Sequence, residues 1–291
     1  MSKSTPQEQA LAAKAGEFLI GNDLRVTRLG FGAMRITGNG IWGNPADRPE
    51  AIRVLRRAVE LGINFIDTAD SYGPGVSEEL IAEALYPYPA DLVIATKGGF
   101  ERPGPNQWVE NGRPEHLRSA CEGSLRRLRL DRIDLYQLHR IDPRISAEDQ
   151  LGTLKDLQAE GKIRHIGLSE VSVRQIQQAR TIVPIVSVQN RYSVIDRGSE
   201  AVLAYCAKEK IGFIPWSPLA AGQVSGVNSP ITRVAARWKV TPSQVALAWL
   251  LARSPVMLPI PGTSRLDHLE ENVSAANLTI DENKMQELVH L

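Results

Sequence analysis

Along most of this chain, short runs of apolar residues alternate with longer segments in which apolar residues recur at the spacing of a helix. Eight runs are rich in valine and isoleucine, as strands buried on both faces are: Leu29–Met34, Ile63–Asp67, Leu92–Thr96, Ile133–Leu138, His165–Ser169, Ile185–Gln189, Gly212–Pro215 and Met257–Ile260. Between most of them, apolar residues recur every three or four positions and predict helices: Pro49–Leu61, Ser77–Leu85, Pro114–Leu128, Glu148–Glu160, Val173–Arg180, Ser199–Glu209 and Thr241–Arg253. This alternation indicates βα units around a parallel sheet.

Eight βα units in 291 residues fit a closed α/β barrel, the (β/α)8 or TIM barrel, better than an open sheet. A doubly wound sheet is the alternative, but it would carry a G-x-G-x-x-G turn after the first strand, and Gly30-Phe31-Gly32 is only half of one. Ahead of the barrel, two short β-prone pieces flank Gly21-Asn22-Asp23 and predict a hairpin. We therefore predict a mobile N-terminal segment, residues 1–16, and a single barrel domain, residues 17–291.

Composition narrows the range of partners. The formal net charge is +1, so no global field attracts nucleic acid or an anionic membrane. The two cysteines, Cys121 and Cys206, lie in no spacing typical of a metal site or a disulfide framework. The N-terminus lacks the apolar core of a signal peptide, and no run approaches the ~18 apolar residues of a membrane span. We expect a cytoplasmic protein with no metal, nucleic-acid or membrane partner; its oligomeric state stays open, and a monomer is compatible with these features.

Chemically active side chains stand at the ends of successive predicted strands. Asp67 ends the second strand, Lys97 follows the third and His139 follows the fourth, while Tyr72 stands on the loop after Asp67. In a barrel the carboxyl ends of the strands meet at one mouth, so these four residues would lie together. Taken singly, each has a commoner structural role, such as a turn cap, a packing ring or a solvated ammonium. Their joint placement favours proton chemistry.

The charges of these four groups define what they could do. A free tyrosine has a pKa of about 10 and is a poor acid at neutral pH. We expect Lys97 to lower the pKa of Tyr72 and Asp67 to keep Lys97 charged. His139 would donate a hydrogen bond to a carbonyl oxygen and orient it. The four supply no electrons, so a hydride must come from a cofactor. A second hypothesis is a lyase or aldolase in which Lys97 forms a Schiff base.

Seven stretches carry a resemblance to a known family: Asn64–Gly73, Ala95–Lys97, Asp134–His139, Gly161–Ser169, Val188–Tyr192, Pro215–Leu219 and Pro259–Asn272. From about residue 18 to residue 278, the chain resembles the aldo-keto reductases. The resemblance implies a barrel whose far end is closed by the hairpin. It also implies Tyr72 as the general acid of a catalytic tetrad completed by Asp67, Lys97 and His139, and NADPH or NADP+ bound in extended form without a Rossmann domain.

The same resemblance implies how the cofactor is held. Trp216 matches the position whose ring stacks on the nicotinamide, and Ser217 and Leu219 match the pyrophosphate loop. Ser264 and Arg265 fall where the family reads the 2′-phosphate, and a cation there favours NADP over NAD. The cofactor-binding positions implied, with the adenine-binding pair last, are Ser169, Gln189, Trp216, Ser217, Leu219, Gly222, Gly262, Ser264, Arg265, His268, Glu271 and Asn272. The loop Ala220–Val227 is expected to fold over the pyrophosphate.

Two positions depart from the family's pattern. Ser169 is followed by Glu170 where the family usually has asparagine. An ionised glutamate only accepts hydrogen bonds, so Glu170 either accepts from the nicotinamide carboxamide or turns away. His268 stands where many members carry arginine, which would make binding of the 2′-phosphate weaker or more dependent on pH.

The substrate implied is a small carbonyl compound. Trp42 and Trp108 are candidate walls of its pocket. The segments Gly38–Arg48 and Ala84–Tyr88 resemble bacterial members of the pyridoxal reductase-like subgroup and point to an aromatic aldehyde such as pyridoxal. A third hypothesis is a non-catalytic subunit that senses NADPH, because some relatives of the family serve ion channels.

Overall fold

The computed structural model describes residues 11–225 and 229–289. Its strands are β1 (Glu17–Ile20), β2 (Leu24–Thr27), β3 (Phe31–Gly32), β4 (Phe65–Asp67), β5 (Val93–Gly98), β6 (Phe100–Glu101), β7 (Val109–Glu110), β8 (Ile133–Leu138), β9 (Ile163–Ser169), β10 (Ser187–Gln189) and β11 (Gly212–Phe213). Its helices are α1 (Arg48–Glu60), α2 (Val76–Leu85), α3 (Pro114–Leu128), α4 (Ala147–Ala159), α5 (Val173–Ala179), α6 (Glu200–Glu209), α7 (Pro230–Trp238), α8 (Pro242–Arg253), α9 (Leu266–Ser274) and α10 (Glu282–Val289). Short 3-10 helices cover Ala12–Ala15, Ala33–Ile36, Ala220–Ser225 and Ala275–Asn277.

Seven strands of the described residues form one parallel sheet, in the order β11-β10-β9-β8-β5-β4-β3. Residues 256–261 join its two edges. On one edge the amide of Leu258 donates to the carbonyl of Phe213 (2.8 Å), and on the other the amide of Gly30 donates to the carbonyl of Pro259 (2.9 Å). This segment therefore takes the eighth place, and the predicted α/β fold of the TIM-barrel type is confirmed.

The eighth strand itself differs from the prediction. Residues 257–260 form only an isolated parallel bridge, between Met257 and Phe213, and not a regular strand. Pro259 and Pro261 account for this, because a proline has no amide hydrogen to donate to a ladder. Close packing against β3 holds this segment in place. A Cβ atom on Gly32 would lie 2.6 Å from the carbonyl oxygen of Ile260, so only glycine lets the two segments approach each other.

The seven predicted helices all occur, and each end lies within one residue of its predicted position. Side-chain caps define several of the starts. Asp47 and Ser146 accept hydrogen bonds from the amides three residues on, and Ser172 and Thr241 form reciprocal capping boxes. The helices α7, α9 and α10 were not predicted. Among the described residues, no helix has both the length and the apolar character needed to cross a membrane.

The predicted hairpin closes the amino-terminal end of the barrel. The strands β1 and β2 pair antiparallel across Gly21-Asn22-Asp23. Ile20, Leu24 and Val26 point into the barrel interior and pack in one buried cluster with side chains of the sheet and of the closing segment: Phe65, Val93, Ala95, Leu135, Ile214, Leu258 and Ile260. Burial of these apolar side chains fixes the hairpin as a plug at the end of the barrel opposite the predicted site.

The segment predicted to be mobile divides into two parts. Residues 1–10 lie outside the described residues. Residues 12–15 form a 3-10 helix that packs on the fold: Ala12 is buried, its amide donates to the carbonyl of Leu61 (3.0 Å), and Lys14 donates to Asn277 (2.8 Å). Residues 12–15 are therefore packed against the barrel and against Asn277.

Candidate active site

A cleft of about 1070 Å³ opens at the carboxyl ends of the parallel strands. Most of the predicted site residues line it: Asp67, Tyr72, Trp108, His139, Ser169, Gln189, Trp216, Ser217, Leu219, Gly222, Gly262, Ser264, His268, Glu271 and Asn272. Lys97 is fully buried and is bonded to two of these lining residues. Of the described residues predicted for the site, only Trp42, Lys97 and Arg265 are absent from the lining. Side chains that are far apart in sequence therefore share one cleft.

Lys97 is the link between Asp67 and Tyr72. The strands β4 and β5 are neighbours, so the side chains that end them meet. The ammonium of Lys97 donates to Oδ1 of Asp67 at 2.6 Å and to the backbone carbonyl of Thr68 at 2.7 Å, and it lies 3.5 Å from the hydroxyl of Tyr72. The carboxylate on one side keeps the buried ammonium charged, and that charge stabilises the phenolate form of the tyrosine on the other side.

Two glutamines hold the second oxygen of Asp67. Oδ2 accepts hydrogen bonds from the side-chain amides of Gln137, on β8, at 3.0 Å and of Gln189, on β10, at 2.8 Å. The carboxylate is therefore fixed in place from three strands. Gln189 was predicted as a cofactor-binding residue, and in the structure its amide nitrogen supports Asp67. Gln137 was not predicted; the signal was its place two residues before His139, on a strand whose alternate side chains point into the barrel.

The pKa of Lys97 follows the prediction, whereas the pKa of Tyr72 has opposing contributions. Burial alone would lower the pKa of Lys97, but the charges of Asp67 and Tyr72 and the hydrogen bonds to them together outweigh burial and raise it. Burial of Tyr72 raises its pKa above the ordinary value, and the ammonium of Lys97 offsets only part of this rise. Lys97 thus lowers the pKa of Tyr72 as predicted, but desolvation of the phenolate outweighs this neighbouring charge, so the net change is a rise. Tyr72 thus keeps its proton at neutral pH. It can still protonate an alkoxide, since alcohols have a pKa near that of water, about 15.7.

His139 stands beside Tyr72 as a neutral imidazole. Burial, with the nearby charges of Lys97, Arg140 and Arg102, holds the pKa of His139 well below its usual range. Its ring centroid lies 5.8 Å from that of Tyr72 and 4.7 Å from that of Phe100, in edge-to-face geometry. The Nδ1 atom is 3.3 Å from the hydroxyl of Ser71. A hydrogen bond to a carbonyl oxygen would come from Nε2, in the tautomer that carries its proton there.

Glu170 turns toward Trp216 and away from the cleft lining. Its backbone is in the left-handed region, with φ of 54°, and this conformation aims the side chain across the end of β10. The carboxylate oxygen Oε1 accepts from the indole N–H of Trp216 at 2.5 Å and from the backbone N–H of Arg191 at 2.6 Å. The guanidinium of Arg191 also lies 5.7 Å from the indole centroid. The departure noted in the sequence is thus a contact that holds the indole ring.

The far end of the cleft contains the positions expected for the adenosine half of a cofactor. Ser264, His268, Glu271 and Asn272 all line it. Arg265 is exposed, and its guanidinium pairs with Asp267, so its charge is engaged outside the cleft. Of the loop predicted over the pyrophosphate, residues 226 and 227 lie outside the described residues, while Gly222 lines the cleft with φ of 88°.

Several residues that line the cleft were not predicted from the sequence. Arg35 lines it beside Gly262, and Phe100 and Arg140 line it near His139. The signal for Arg140 was its place directly after a strand-end histidine. Trp42 was predicted as a pocket wall but is not among the described residues that line the cleft. Its ring lies 5.7 Å from the guanidinium of Arg102, which is stacked at 3.7 Å on the ring of Trp108.

Residues 28–291 match the model of the aldo/keto reductase family. The match covers most of the chain, and the chain belongs to this family. Relatives with curated descriptions include an uncharacterized oxidoreductase of Schizosaccharomyces pombe, 51% identical over 280 residues, which span 96% of this chain and 91% of the relative. Pyridoxine 4-dehydrogenase of Escherichia coli is 43% identical over 269 residues, which span 90% of this chain and 94% of the relative.

Solved structures agree with the fold. The chain is similar to an aldo-keto reductase from Klebsiella pneumoniae that was crystallised in complex with NADPH. The TM-score is 0.80 at 25% identity, and the similarity covers 94% of each chain. The barrel fold is therefore shared over nearly the full length of both proteins.

Proposed function

We propose that this protein reduces an aldehyde or ketone to the alcohol with NADPH, and that Tyr72 is its general acid. The observation that carries the proposal is the bonded series Asp67–Lys97–Tyr72 at the floor of the cleft, with neutral His139 beside the phenol. It combines a proton donor with an aligned hydrogen-bond donor at one point, which is what protonation of a developing alkoxide requires.

The cleft fits NADPH in size and in donor set. A volume of about 1070 Å³ reaches the upper end of the range usual for small-molecule sites, so a dinucleotide and a small substrate can share it. Ser217, Ser264 and Asn272 offer hydrogen-bond donors along it, and Arg35 and His268 offer cationic or protonatable groups for phosphates. The Klebsiella relative with NADPH supports the same assignment. When bound, NADPH supplies the hydride that these residues lack.

The residues of the chain supply the proton and the orientation. The substrate oxygen would lie between the hydroxyl of Tyr72 and Nε2 of His139, and both would donate hydrogen bonds to it. As the carbonyl carbon gains a hydride, the charge that develops on oxygen is met by the Tyr72 proton, which passes to it and leaves an alcohol. Lys97 stabilises the phenolate left behind, and Asp67 keeps Lys97 charged. Water then returns a proton to Tyr72.

The Schiff-base hypothesis for Lys97 is disfavoured by its surroundings. A nucleophilic amine must lose its proton, whereas the Asp67 carboxylate at 2.6 Å raises the pKa of Lys97. Lys97 is also fully buried, so a substrate carbon could not reach its nitrogen without displacing Tyr72.

Replacement of Tyr72 by phenylalanine tests the proposal directly. We expect kcat/KM for reduction to fall about 10²- to 10⁴-fold, the range usual for loss of a general acid. Consumption of NADPH would be followed with pyridoxal, other aromatic aldehydes and sugars. Binding of NADPH, measured separately by fluorescence titration, should stay unchanged and so serves as the control. Full activity of Tyr72→Phe would overturn the mechanism.

For the substrate, we propose an aromatic aldehyde such as pyridoxal. Two aromatic side chains, Phe100 and Trp108, line the cleft within ring-contact distance of His139. The relative named pyridoxine 4-dehydrogenase supports this choice. A higher kcat/KM for sugars than for pyridoxal in the same panel would argue against it.

A further inference from the structure

Arg140 places a cation in the cleft directly after His139. Its Nη1 donates to the backbone carbonyl of His139 at 2.6 Å and to the hydroxyl of Ser169 at 3.0 Å, which holds the guanidinium across the ends of β8 and β9. The guanidinium carbon lies 5.5 Å from the ring centroid of Phe100. The side chain is thus fixed at the mouth, where it lines the same cleft as Tyr72 and Trp108.

No carboxylate neutralises Arg140. Among the described residues it forms no ion pair, and its Nε and Nη2 atoms have no hydrogen-bond acceptor. The carboxylates of Glu170 and, less strongly, Glu110 act on it at a distance, but the two hydrogen bonds that Glu170 accepts come from Trp216 and Arg191. Burial lowers the pKa of Arg140, yet a guanidinium stays charged at neutral pH. A half-buried cation with unused donors is costly unless an anion completes it.

A second cation strengthens the field at this mouth. Arg102 donates to the backbone carbonyls of Ser71 (2.6 Å) and Gln107 (2.7 Å), and among the described residues it pairs with no carboxylate. Lys97 is matched by Asp67, whereas Arg102 and Arg140 form no ion pair with a carboxylate of the described residues. Burial is the main cause of the lowered pKa of His139, and the charges of Lys97, Arg140 and Arg102 lower it further.

We propose that Arg140 forms a subsite for an anionic oxygen of the carbonyl substrate and thereby selects aldehydes that carry a phenolate, carboxylate or phosphate. This inference rests on the proposed function. The free N–H groups of a guanidinium match two oxygens of an anion, and the aromatic rings of Phe100 and Trp108 would pack on the body of the substrate. An ionised hydroxyl on an aromatic aldehyde, such as that of pyridoxal, has the required chemistry.

Matched substrates test the subsite. The substrates are 3-carboxybenzaldehyde, anionic at neutral pH, and its methyl ester, which has nearly the same shape without the charge. We expect the wild-type protein to favour the acid in kcat/KM. Arg140→Gln should lower kcat/KM for the acid about 10- to 100-fold, mainly through KM, because one or two charge-assisted hydrogen bonds are lost. The value for the ester should change about threefold or less. Arg140→Lys should recover part of the loss, since it restores the charge without the fork.

Two controls separate the possible outcomes. Arg118→Gln removes an equal charge from an exposed ion pair with Glu160, outside the cleft, and should leave the preference for the acid unchanged. Titration with NADPH shows whether the contact of Arg140 with Ser169 matters for the cofactor. An equal loss for acid and ester, or no preference in the wild type, would overturn the subsite. Failure of the proposed function would appear differently, as no oxidation of NADPH with either substrate.

Discussion

At the scale of single residues, Glu170 shows how a glutamate in place of the family's usual asparagine makes different contacts. An asparagine there could both donate and accept, whereas the glutamate only accepts. In the structure it accepts from the indole of Trp216 and from the backbone of Arg191, at 2.5 and 2.6 Å. Its charge therefore fixes the ring proposed to stack on the nicotinamide, and the carboxamide would have to find its partners elsewhere.

Removal of this contact should loosen the ring. We expect Glu170→Ala to weaken NADPH binding about 10-fold, because a hydrogen bond to a charged group is lost. Glu170→Gln keeps an acceptor oxygen and should lose less. The decisive comparison is a double-mutant cycle with Trp216→Phe: in that background Glu170→Ala should have little further effect. Additive losses in binding would show that Glu170 acts independently of the indole.

Asp70 is a buried acid that the proposed mechanism does not use. Burial and, next, the charge of Glu78 raise the pKa of Asp70 to about 8, and its Oδ1 has no hydrogen-bond partner among the described residues. Between its unfolded pKa of 3.8 and about 8, the folded protein holds a proton that the unfolded chain releases. Stability should therefore fall as pH rises through this window, by at most about 1.4 kcal/mol per pH unit.

Asp70→Asn tests this linkage. The amide cannot ionise, so we expect the free energy of unfolding of the variant to rise relative to that of the wild type between about pH 5 and about pH 8, the range in which Asp70 titrates in the folded protein but is already ionised in the unfolded chain. Denaturant unfolding at several pH values measures the difference, and Glu115→Gln, an exposed substitution on α3, is the control. A difference in stability between Asp70→Asn and wild type that does not change with pH would contradict the assignment.

At the scale of elements, apolar periodicity located the seven predicted helices because each of them buries one face against the sheet. It failed where backbone chemistry overrides side-chain pattern. The run Met257–Ile260 is apolar and looks like a strand, but Pro259 and the following Pro261 lack the amide hydrogens that a ladder needs. The segment still closes the barrel, since its carbonyl groups accept from Gly30 and Gly32.

Asn64 anchors the hairpin to the barrel. Asn64 accepts from the amide of Thr27 at 2.7 Å and donates to the carbonyls of Arg25 and Asp91 at 3.0 and 3.3 Å. We expect Asn64→Ala to lower the free energy of unfolding by about 1–3 kcal/mol, because the amide of Thr27 loses its partner. Asn64→Asp keeps the acceptor and should cost less. The kcat/KM should stay unchanged, since the site lies at the other end of the barrel; a large loss of activity in a folded variant would contradict this.

At the scale of the whole molecule, parallel topology brings the reactive groups together. Asp67 and Lys97 lie at the carboxyl ends of β4 and β5, and His139 directly follows β8. These three strands are adjacent in the sheet, so residues far apart in sequence meet at one mouth. Because every strand of a barrel ends on the same side, the strand-end positions could be read from the sequence once the strands were located. The proximity of Asp67, Lys97 and His139 was predictable for this reason.

Other features of the site depend on packing that no sequence pattern reports. The pKa of Tyr72 rises because the phenol is buried, and burial is set jointly by several loops. Arg265 was expected to face a phosphate, but Asp267, two residues away, holds it outside the cleft. The position of Arg140 beside Ser169, with no carboxylate of the described residues in an ion pair with it, is visible only in the folded structure.

The sequence by itself determined the barrel class, seven of the helices and the placement of the four side chains of the predicted tetrad, because these follow from periodicity and from the position of residues at or just after strand ends. The tertiary structure alone decided which charges are paired and which are free. It matched Lys97 with Asp67, Glu170 with Trp216 and Arg265 with Asp267, and it left Arg140 without an ion pair to any carboxylate of the described residues. Electrostatic energies depend on distances and on burial, and both arise only when distant parts of the chain pack together.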